Sequence, residues 1–306
     1  MQTIDILIKN NIIFGVMVAG KTKKKLIIAV SVVLAFVFSI VAFLSVGYFA
    51  AHLWKPYRPD YEKADLTETL SKPVLDEKDY DFLYRQTGLT KAGVDGLISA
   101  DETDRIYEIQ NDFFSDNEFE KETFGPFLCW EKRKSDKEVA RAELENGDII
   151  VSSSTHFSCF RFGHAAIVID AENGIVAESA GYDSPSFVDP CDFFNRPSFM
   201  ILRLKADKET RQKIADYAKE TLVGVDYSIF CGIFTKKYEE EKPTKSQCAH
   251  LVWYAFKHFG IDIDSNGGAI VLPKDIANSA ELELVQNFGF DPDKLWASSE
   301  KANECS

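Results

Sequence analysis

The longest apolar segment of the chain lies near its N-terminus. Residues 26–51 contain no charged side chain and consist largely of Leu, Ile, Val, Ala and Phe. A helix that crosses a bilayer needs roughly 20 consecutive apolar residues, so the pattern predicts a transmembrane anchor over residues 26–53. A cleaved signal peptide, with Ala50-Ala51 as the processing site, is the alternative, although the apolar region of a signal peptide has only about 7–15 residues.

Charges on the two sides of this segment predict its orientation. Four basic residues directly precede it: Lys21, Lys23, Lys24 and Lys25. Acidic residues follow it from Asp60 onward. The positive-inside rule therefore predicts that residues 1–25 are cytoplasmic and that the large C-terminal part is extracytoplasmic. Residues 54–75, rich in charge and containing three prolines, are predicted to form a juxtamembrane linker that lifts this part off the bilayer.

The next segment shows helical spacing. Apolar residues between 76 and about 116 recur at intervals of three and four, as in Ile106, Ile109 and Phe113, which is the spacing of one buried helical face. We therefore expect residues 76–140 to be a helical lead-in packed on the region that follows.

Alternating and β-branched residues then predict strands between residues 147 and 204. The segments are 149–151, 164–170, 175–180 and 199–204. Glu172-Asn173-Gly174 is a hairpin signal between the second and third of them. Helical patterns follow the strands, so the order predicts an α+β fold in which helices pack on one face of an antiparallel sheet.

Two helices are predicted after these strands. Asp207 is the expected N-cap of a helix that runs to about Leu222. A second helix buries Leu251, Val252, Ala255, Phe256 and Phe259 on one face and ends at Gly260. Its start is signalled by a capping box from Thr244 to Gln247, with Ser246 as a second possible cap.

Composition and charge exclude some classes of partner. The chain has 306 residues, 45% of them hydrophobic, which is enough for a sizeable core. Its net charge is −13, and residues 55–306 alone carry 30 basic and 47 acidic residues, a net of −17. Such a charge disfavours nucleic acid and anionic headgroups as partners.

The six cysteines show no CxxC pair and no zinc-type spacing, so we expect no metal and no cofactor. If Cys248 stays a free thiol, the other five cannot all pair, and at least one more is free or intermolecular.

One cysteine and one histidine occupy positions suited to covalent catalysis. Cys248 lies in the first turn of its predicted helix, where unpaired backbone N–H groups and the helix dipole stabilise a thiolate. His164 opens a strand, and an imidazole fixed there can take the thiol proton and later give it to a leaving group. Either residue alone is more typical of a protein core, so the prediction rests on the pair.

Five short motifs in order carry a family resemblance. They are Gly147-Asp148-Ile149-Ile150, Gly163-His164, Val176-Ala177-Glu178-Ser179, Gly224-Val225-Asp226-Tyr227, and Cys248 within SQCAHLVWYAF. Over about residues 140–282 the chain resembles the circularly permuted NlpC-type papain-like cysteine hydrolases, in their YiiX/YebB-like branch. The histidine precedes the cysteine here, which is the reverse of ordinary papain-like enzymes and matches the permuted branch.

The resemblance implies a role for each matching residue. Cys248 would be the nucleophile, His164 the general base and acid, and Glu178 the residue that orients the imidazole. Tyr227 would lie in the substrate cleft. The implied fold is a permuted papain-like catalytic domain over residues 141–297, followed by a polar tail, 298–306.

The resemblance also implies a reaction and leaves alternatives open. The family hydrolyses or transfers at an amide or ester carbonyl through a thioester, typically in cell-wall peptides or related amides. The leading expectation is therefore a membrane-anchored extracytoplasmic cysteine hydrolase acting on an amide substrate. A lipid acyl hydrolase or acyltransferase on the same fold, and a catalytically inactive envelope-binding module, are the alternatives.

Two candidate residues are less firmly placed by the sequence. A three-residue loop at 172–174 would pair Glu178 with Val168, about 13 Å along the strand from His164, so a bulge or strong twist must bring them together. Asp183 and Ser179 are the other candidates for the third role. His250 points to a different helical face from Cys248, and we expect it at the surface or in a substrate subsite.

Overall fold

A computed structural model of the chain describes residues 2–124, 127–181 and 185–296. Its helices are α1 (Gln2–Ala51), α2 (Thr67–Leu70), α3 (Glu77–Thr87), α4 (Lys91–Ser99), α5 (Thr103–Phe114), α6 (Lys208–Tyr217), α7 (Cys248–His258) and α8 (Pro273–Ala277). Asp207 caps α6 as predicted, because its Oδ1 accepts a hydrogen bond of 2.8 Å from the Thr210 N–H. The helical path continues beyond α6 to Leu222 as a π-helical turn.

The strands are β1 (Phe119–Phe124), β2 (Leu128–Arg133), β3 (Ile149–Ser152), β4 (Thr155–Phe157), β5 (His164–Asp170), β6 (Ile175–Glu178), β7 (Phe187–Pro190), β8 (Phe199–Leu204), β9 (Asp226–Tyr227), β10 (Lys245–Ser246) and β11 (Leu282–Phe288). Six of them form an antiparallel sheet in the order β11-β8-β3-β5-β6-β7. A smaller antiparallel sheet has the order β1-β2-β4, and β9 pairs with β10 in parallel. The predicted α+β class with an antiparallel sheet is confirmed.

Helices cover both faces of the large sheet, so the prediction of helices on one face is wrong. Along β5, Ala165 and Ile167 pack in a core that contains α6 and α7. Ala166 and Val168 pack in a second core that contains α3, α4 and α5. The segment from His164 to Ile169 is an almost unbroken apolar run, and such a run is typical of a strand buried on both faces.

Strands β1 and β2 pair in an antiparallel arrangement where the helical lead-in was predicted to continue. The helical pattern predicted up to about residue 116 is present as α3, α4 and α5, but β1 and β2 follow them. The buried side of β2 includes two charged residues, Glu131 and Arg133. Arg161 lies 2.6 Å from the Glu131 carboxylate and compensates its buried charge. Charged residues therefore occupy the buried side of β2, and its sequence lacks the alternation of apolar and polar residues that would have indicated a strand.

Helix α1 contains the apolar segment. Its part from Lys24 to Ala51 is long and apolar enough to cross a membrane, which is compatible with a single span or a signal sequence. The segment 54–75, predicted to be a juxtamembrane linker, lies against the folded part. The Tyr57 N–H donates to the Gly289 carbonyl at 2.9 Å, and Leu66 is fully buried. The predicted tail, 298–306, lies outside the described residues.

Candidate active site

The start of α7 is set by Gln247. The Oε1 atom of Gln247 accepts a hydrogen bond of 2.9 Å from the Ala249 N–H. The same oxygen accepts the thiol proton of Cys248 at 3.2 Å, while Nε2 donates to the Val271 carbonyl at 2.6 Å. The N-cap is therefore Gln247, so the caps predicted at Thr244 and Ser246 are wrong, since they lie three residues and one residue too early. Cys248 becomes the first residue of the helix, where its own N–H has no partner within the helix.

Glu178 reaches His164 because the β5–β6 register differs from the predicted one. The connecting turn has four residues, 171–174, and closes on the pair Asp170–Ile175. A bulge follows, so that Val168 pairs with Val176 and Ala166 with Glu178. Together these changes bring Glu178 two residues closer to His164 along β5. The two side chains are then diagonal neighbours on one face, a spacing that long side chains can bridge.

His164 is held between an acid and a thiol. Its Nε2 lies 2.5 Å from Glu178 Oε2, which leaves Nδ1 as the ring nitrogen for Cys248. Burial disfavours the charged imidazole, but interaction with the Cys248 thiol and with the Glu178 carboxylate outweighs it and raises the pKa of His164 to about 9. Burial likewise opposes ionisation of Glu178, yet His164 and, at longer range, Arg196 hold the pKa of this carboxyl below its ordinary value.

Aromatic side chains fix the imidazole in place. The ring of Phe193 stacks on His164 with centroids 5.4 Å apart, and Trp130 lies at 5.5 Å on a tilted plane. The guanidinium of Arg196 contacts both of these aromatic rings, at 3.9 Å from the centroid of Phe193 and 4.5 Å from the centroid of Trp130. Arg196 is buried and places a positive charge near Glu178.

A cavity of about 340 Å³ contains the site. It is lined by Leu128, Cys129, Trp130, Thr155, Phe162, His164, Ser179, Ala180, Gly181, Tyr227 and Cys248. Most of this wall is apolar. Among the described residues, the buried hydroxyls of Thr155 and Ser179 have no hydrogen-bond partner, so two polar groups are left for a bound molecule.

The other two predicted site residues have different environments. Tyr227 lines the cavity, and it pairs with Ser246, which lies two residues before the start of α7. His250 is fully buried and is not part of the cavity wall. Its Nδ1 lies 3.0 Å from Ser246 Oγ and its Nε2 2.8 Å from the Lys237 carbonyl. His250 therefore ties the helix to a neighbouring loop, which differs from the surface or subsite position that the sequence suggested.

Asp183 and Ser179 were the other candidates for the residue that orients the imidazole. Asp183 lies outside the described residues. Ser179 lines the cavity, but Glu178 makes the contact with His164.

The five cysteines of the described part are free thiols. Cys231 is fully buried, and burial raises its pKa to about 12.

Several residues at the site had no sequence signal that singled them out. Trp130 belongs to a segment predicted as helix, and Arg196 looks like an ordinary surface cation in the sequence. Gln247 was visible only as part of a capping box. An aromatic pair shortly before an Arg, as in the segment 193–196, is the one local pattern that favours a cation stacked on aromatic rings.

Comparison of the chain with protein-family models, with curated proteins and with solved structures found no match. The family resemblance therefore stays a prediction. A thiol at a helix N-terminus, an imidazole beside it and a carboxylate on the other ring nitrogen form the arrangement of an activated nucleophile.

Proposed function

We propose that this protein is a membrane-anchored cysteine hydrolase that cleaves a peptide or related amide bond in the cell envelope. The observation that supports it most directly is that Cys248 and His164 line one cavity, while the Glu178 carboxylate lies 2.5 Å from Nε2 of His164. The raised pKa of His164 means that the imidazolium is available near neutral pH, which favours a thiolate partner.

The reaction follows from these three groups. The thiolate of Cys248 attacks the carbonyl carbon of the amide, and the imidazolium of His164 gives its proton to the departing nitrogen. The C–N bond breaks and a thioester remains on Cys248. His164, now neutral, takes a proton from water, the hydroxide attacks the thioester, and the acid product leaves with Cys248 restored. The Cys248 N–H, at the start of α7, is placed to stabilise the oxyanion.

The charges of the chain support the cellular placement. Lysines precede the apolar segment 26–53 and acidic residues follow it, so the catalytic domain is assigned to the extracytoplasmic side and residues 1–25 to the cytoplasm. A bilayer and an amide substrate are then the partners of the protein.

A second candidate function is acyl transfer or hydrolysis on a lipid. Leu128, Trp130 and Phe162 make the cavity wall largely apolar. The segment that follows the cavity residue Tyr227 also exposes large apolar side chains, namely Ile229, Phe230, Ile233 and Phe234. Exposed apolar clusters of this kind are typical of surfaces that meet lipid or another protein.

Trapping of the thioester tests the proposal. The full chain in detergent is incubated with wall-derived peptides and, separately, with acyl lipids, then quenched in acid and digested for mass spectrometry. An acyl group is expected on the peptide that contains Cys248, and it should be absent in Cys248→Ala and much reduced in His164→Ala. Adduct only from peptides supports the amide hydrolase, and adduct only from lipids supports the second candidate. Turnover that persists in Cys248→Ala would refute both.

A further inference from the structure

The end of α1 is docked on the small sheet that forms one wall of the cavity. Ser158 Oγ, in the turn after β4, donates to the Leu44 carbonyl at 2.7 Å. A Cβ added at Gly47 would come within 2.4 Å of the same Oγ, so helix and turn are in close contact. Helix α1 is therefore packed on this domain at a fixed position.

Two further contacts hold the helix in this position. The Nζ of Lys121 on β1 donates to the His52 carbonyl at 3.0 Å. The guanidinium of Arg161 lies 3.8 Å from the Trp54 ring and at the same time makes two hydrogen bonds to buried Glu131. Because Arg161 is itself anchored, the helix end cannot swing freely away from the sheet.

This docking fixes the level of the turn relative to a bilayer. A helix rises about 1.5 Å per residue and the hydrocarbon core is about 30 Å thick, so about 20 residues cross it. Counted from Leu26, directly after the lysines, the outer boundary of the core falls near Ser45. Leu44, which binds Ser158, is at this level, and Tyr48, His52 and Trp54 follow where interfacial aromatic residues are favoured.

The turn carries the side chains that such a boundary requires. Phe157 and Phe160 lie on either side of Ser158-Cys159, and these two phenylalanines are 40% and 59% exposed. Cys159 between them is also exposed. Solvent-exposed phenylalanines next to an apolar helix cost free energy in water, whereas burial among acyl chains releases roughly 25 cal/mol per Å² of apolar surface.

We propose that the turn of residues 157–160 lies at the outer boundary of the hydrocarbon core, with Phe157 and Phe160 in contact with lipid. The inference rests on the membrane anchoring in the proposed function and is independent of the catalytic activity. Phe157 pairs with the cavity residue Leu128, so the cavity wall then lies one strand away from the lipid. The partner of this surface is the bilayer, not a second protein.

Depth-dependent quenching tests this placement. The full chain, with Cys248→Ser and Cys305→Ser, is labelled at the native Cys159 with an environment-sensitive fluorophore and reconstituted in phosphatidylcholine vesicles. Mass spectrometry checks that the buried cysteines remain unlabelled. Glu172→Cys with Cys159→Ser is the matched control, because exposed Glu172 lies at the far end of β5, about 20 Å beyond the His164 end. Phe43→Cys with Cys159→Ser, at a 61% exposed position of α1, reports the span itself.

We expect 5-doxyl phosphatidylcholine to quench the labels at positions 159 and 43 several-fold more than the label at 172, and aqueous iodide to do the reverse. A position-159 label that responds like the one at 172, while position 43 remains lipid-quenched, overturns the inference and leaves the anchor intact. Loss of lipid quenching at both positions 43 and 159 refutes the inference together with the anchor. A position-159 label shielded from both quenchers would mean that protein covers the turn, which also overturns the proposal.

Discussion

The carboxylate of Glu178 lies 2.5 Å from the imidazole of His164, although the two residues are on adjacent strands and are not paired with each other. A β-bulge and a four-residue turn in the β5–β6 hairpin create this contact. The consequence is electrostatic. The carboxylate favours the protonated imidazole and contributes to the raised pKa of His164.

Selective alkylation of Cys248 is the first expectation. At pH 6.5 in detergent, iodoacetamide should modify Cys248 well before the buried thiols Cys191 and Cys231, whose pKa burial raises to about 12. His164→Ala should slow the modification of Cys248 about tenfold or more, because the thiolate loses its cationic partner. Peptide mapping gives each rate separately. A Cys248 rate no faster than that of free N-acetylcysteine would remove the hydrolase hypothesis.

Loss of the Glu178 charge should lower the pKa of His164. Glu178→Gln retains a hydrogen-bond acceptor for the imidazole and removes the negative charge, and an adjacent charge is worth about 1–3 pKa units. The measurement is an NMR titration of the His164 ring in wild type and variant. Glu172→Gln, an exposed position on the same hairpin, should leave the titration unchanged. An unaltered pKa in Glu178→Gln would mean that the carboxylate is not the orienting group.

Stability should fall as the pH rises above neutral. The pKa of His164 is raised from 6.5 to about 9, so its contribution to the free energy of unfolding is complete below pH 6.5 and is lost as the pH approaches 9. The loss is at most about 3 kcal/mol. Glu178, with a lowered pKa, acts in the opposite sense and stabilises above its ordinary value of 4.5.

Urea unfolding between pH 6 and 9.5 measures this loss. The slope of stability against pH should flatten in His164→Gln. His258→Gln, at an exposed position of α7, should retain the wild-type slope. Equal slopes in wild type and His164→Gln would contradict the assignment of the raised pKa to this residue.

Removal of the Gln247 side chain should destabilise α7 and alter the thiol. Gln247→Ala deletes the cap on Ala249 and the bond to Val271, and loss of a helix cap costs about 0.5–2 kcal/mol. Gln247→Glu keeps an acceptor for the Ala249 N–H but puts a negative charge beside the sulfur. We expect the urea midpoint to fall in the alanine variant, and the alkylation rate of Cys248 to fall in the glutamate variant. An unchanged midpoint in Gln247→Ala would show that the cap contributes little.

Local signals in the sequence were sufficient for much of the fold. The charge-free run 26–51, the strand 164–170 and the Asp207 cap each depend on residues close together in the chain, and the structure has them where they were predicted. Cys248 at the start of its helix and His164 at the start of its strand were likewise visible, because position within an element follows from spacing alone.

The tertiary structure decided what local spacing cannot. The Glu178 register depends on a bulge between Val168 and Asp170, which the residue pattern of the two strands does not specify. Arg196 and Glu131 are charged residue types typical of surfaces, yet both are buried, Arg196 against the rings of Phe193 and Trp130 and Glu131 against the opposite charge of Arg161. The segment 54–75 has the composition of a flexible linker, yet contacts from residues far along the chain hold it against the domain. Glu131, the Arg196 stack on Trp130 and the segment 54–75 all depend on residues distant in sequence, so only the folded chain reveals these contacts.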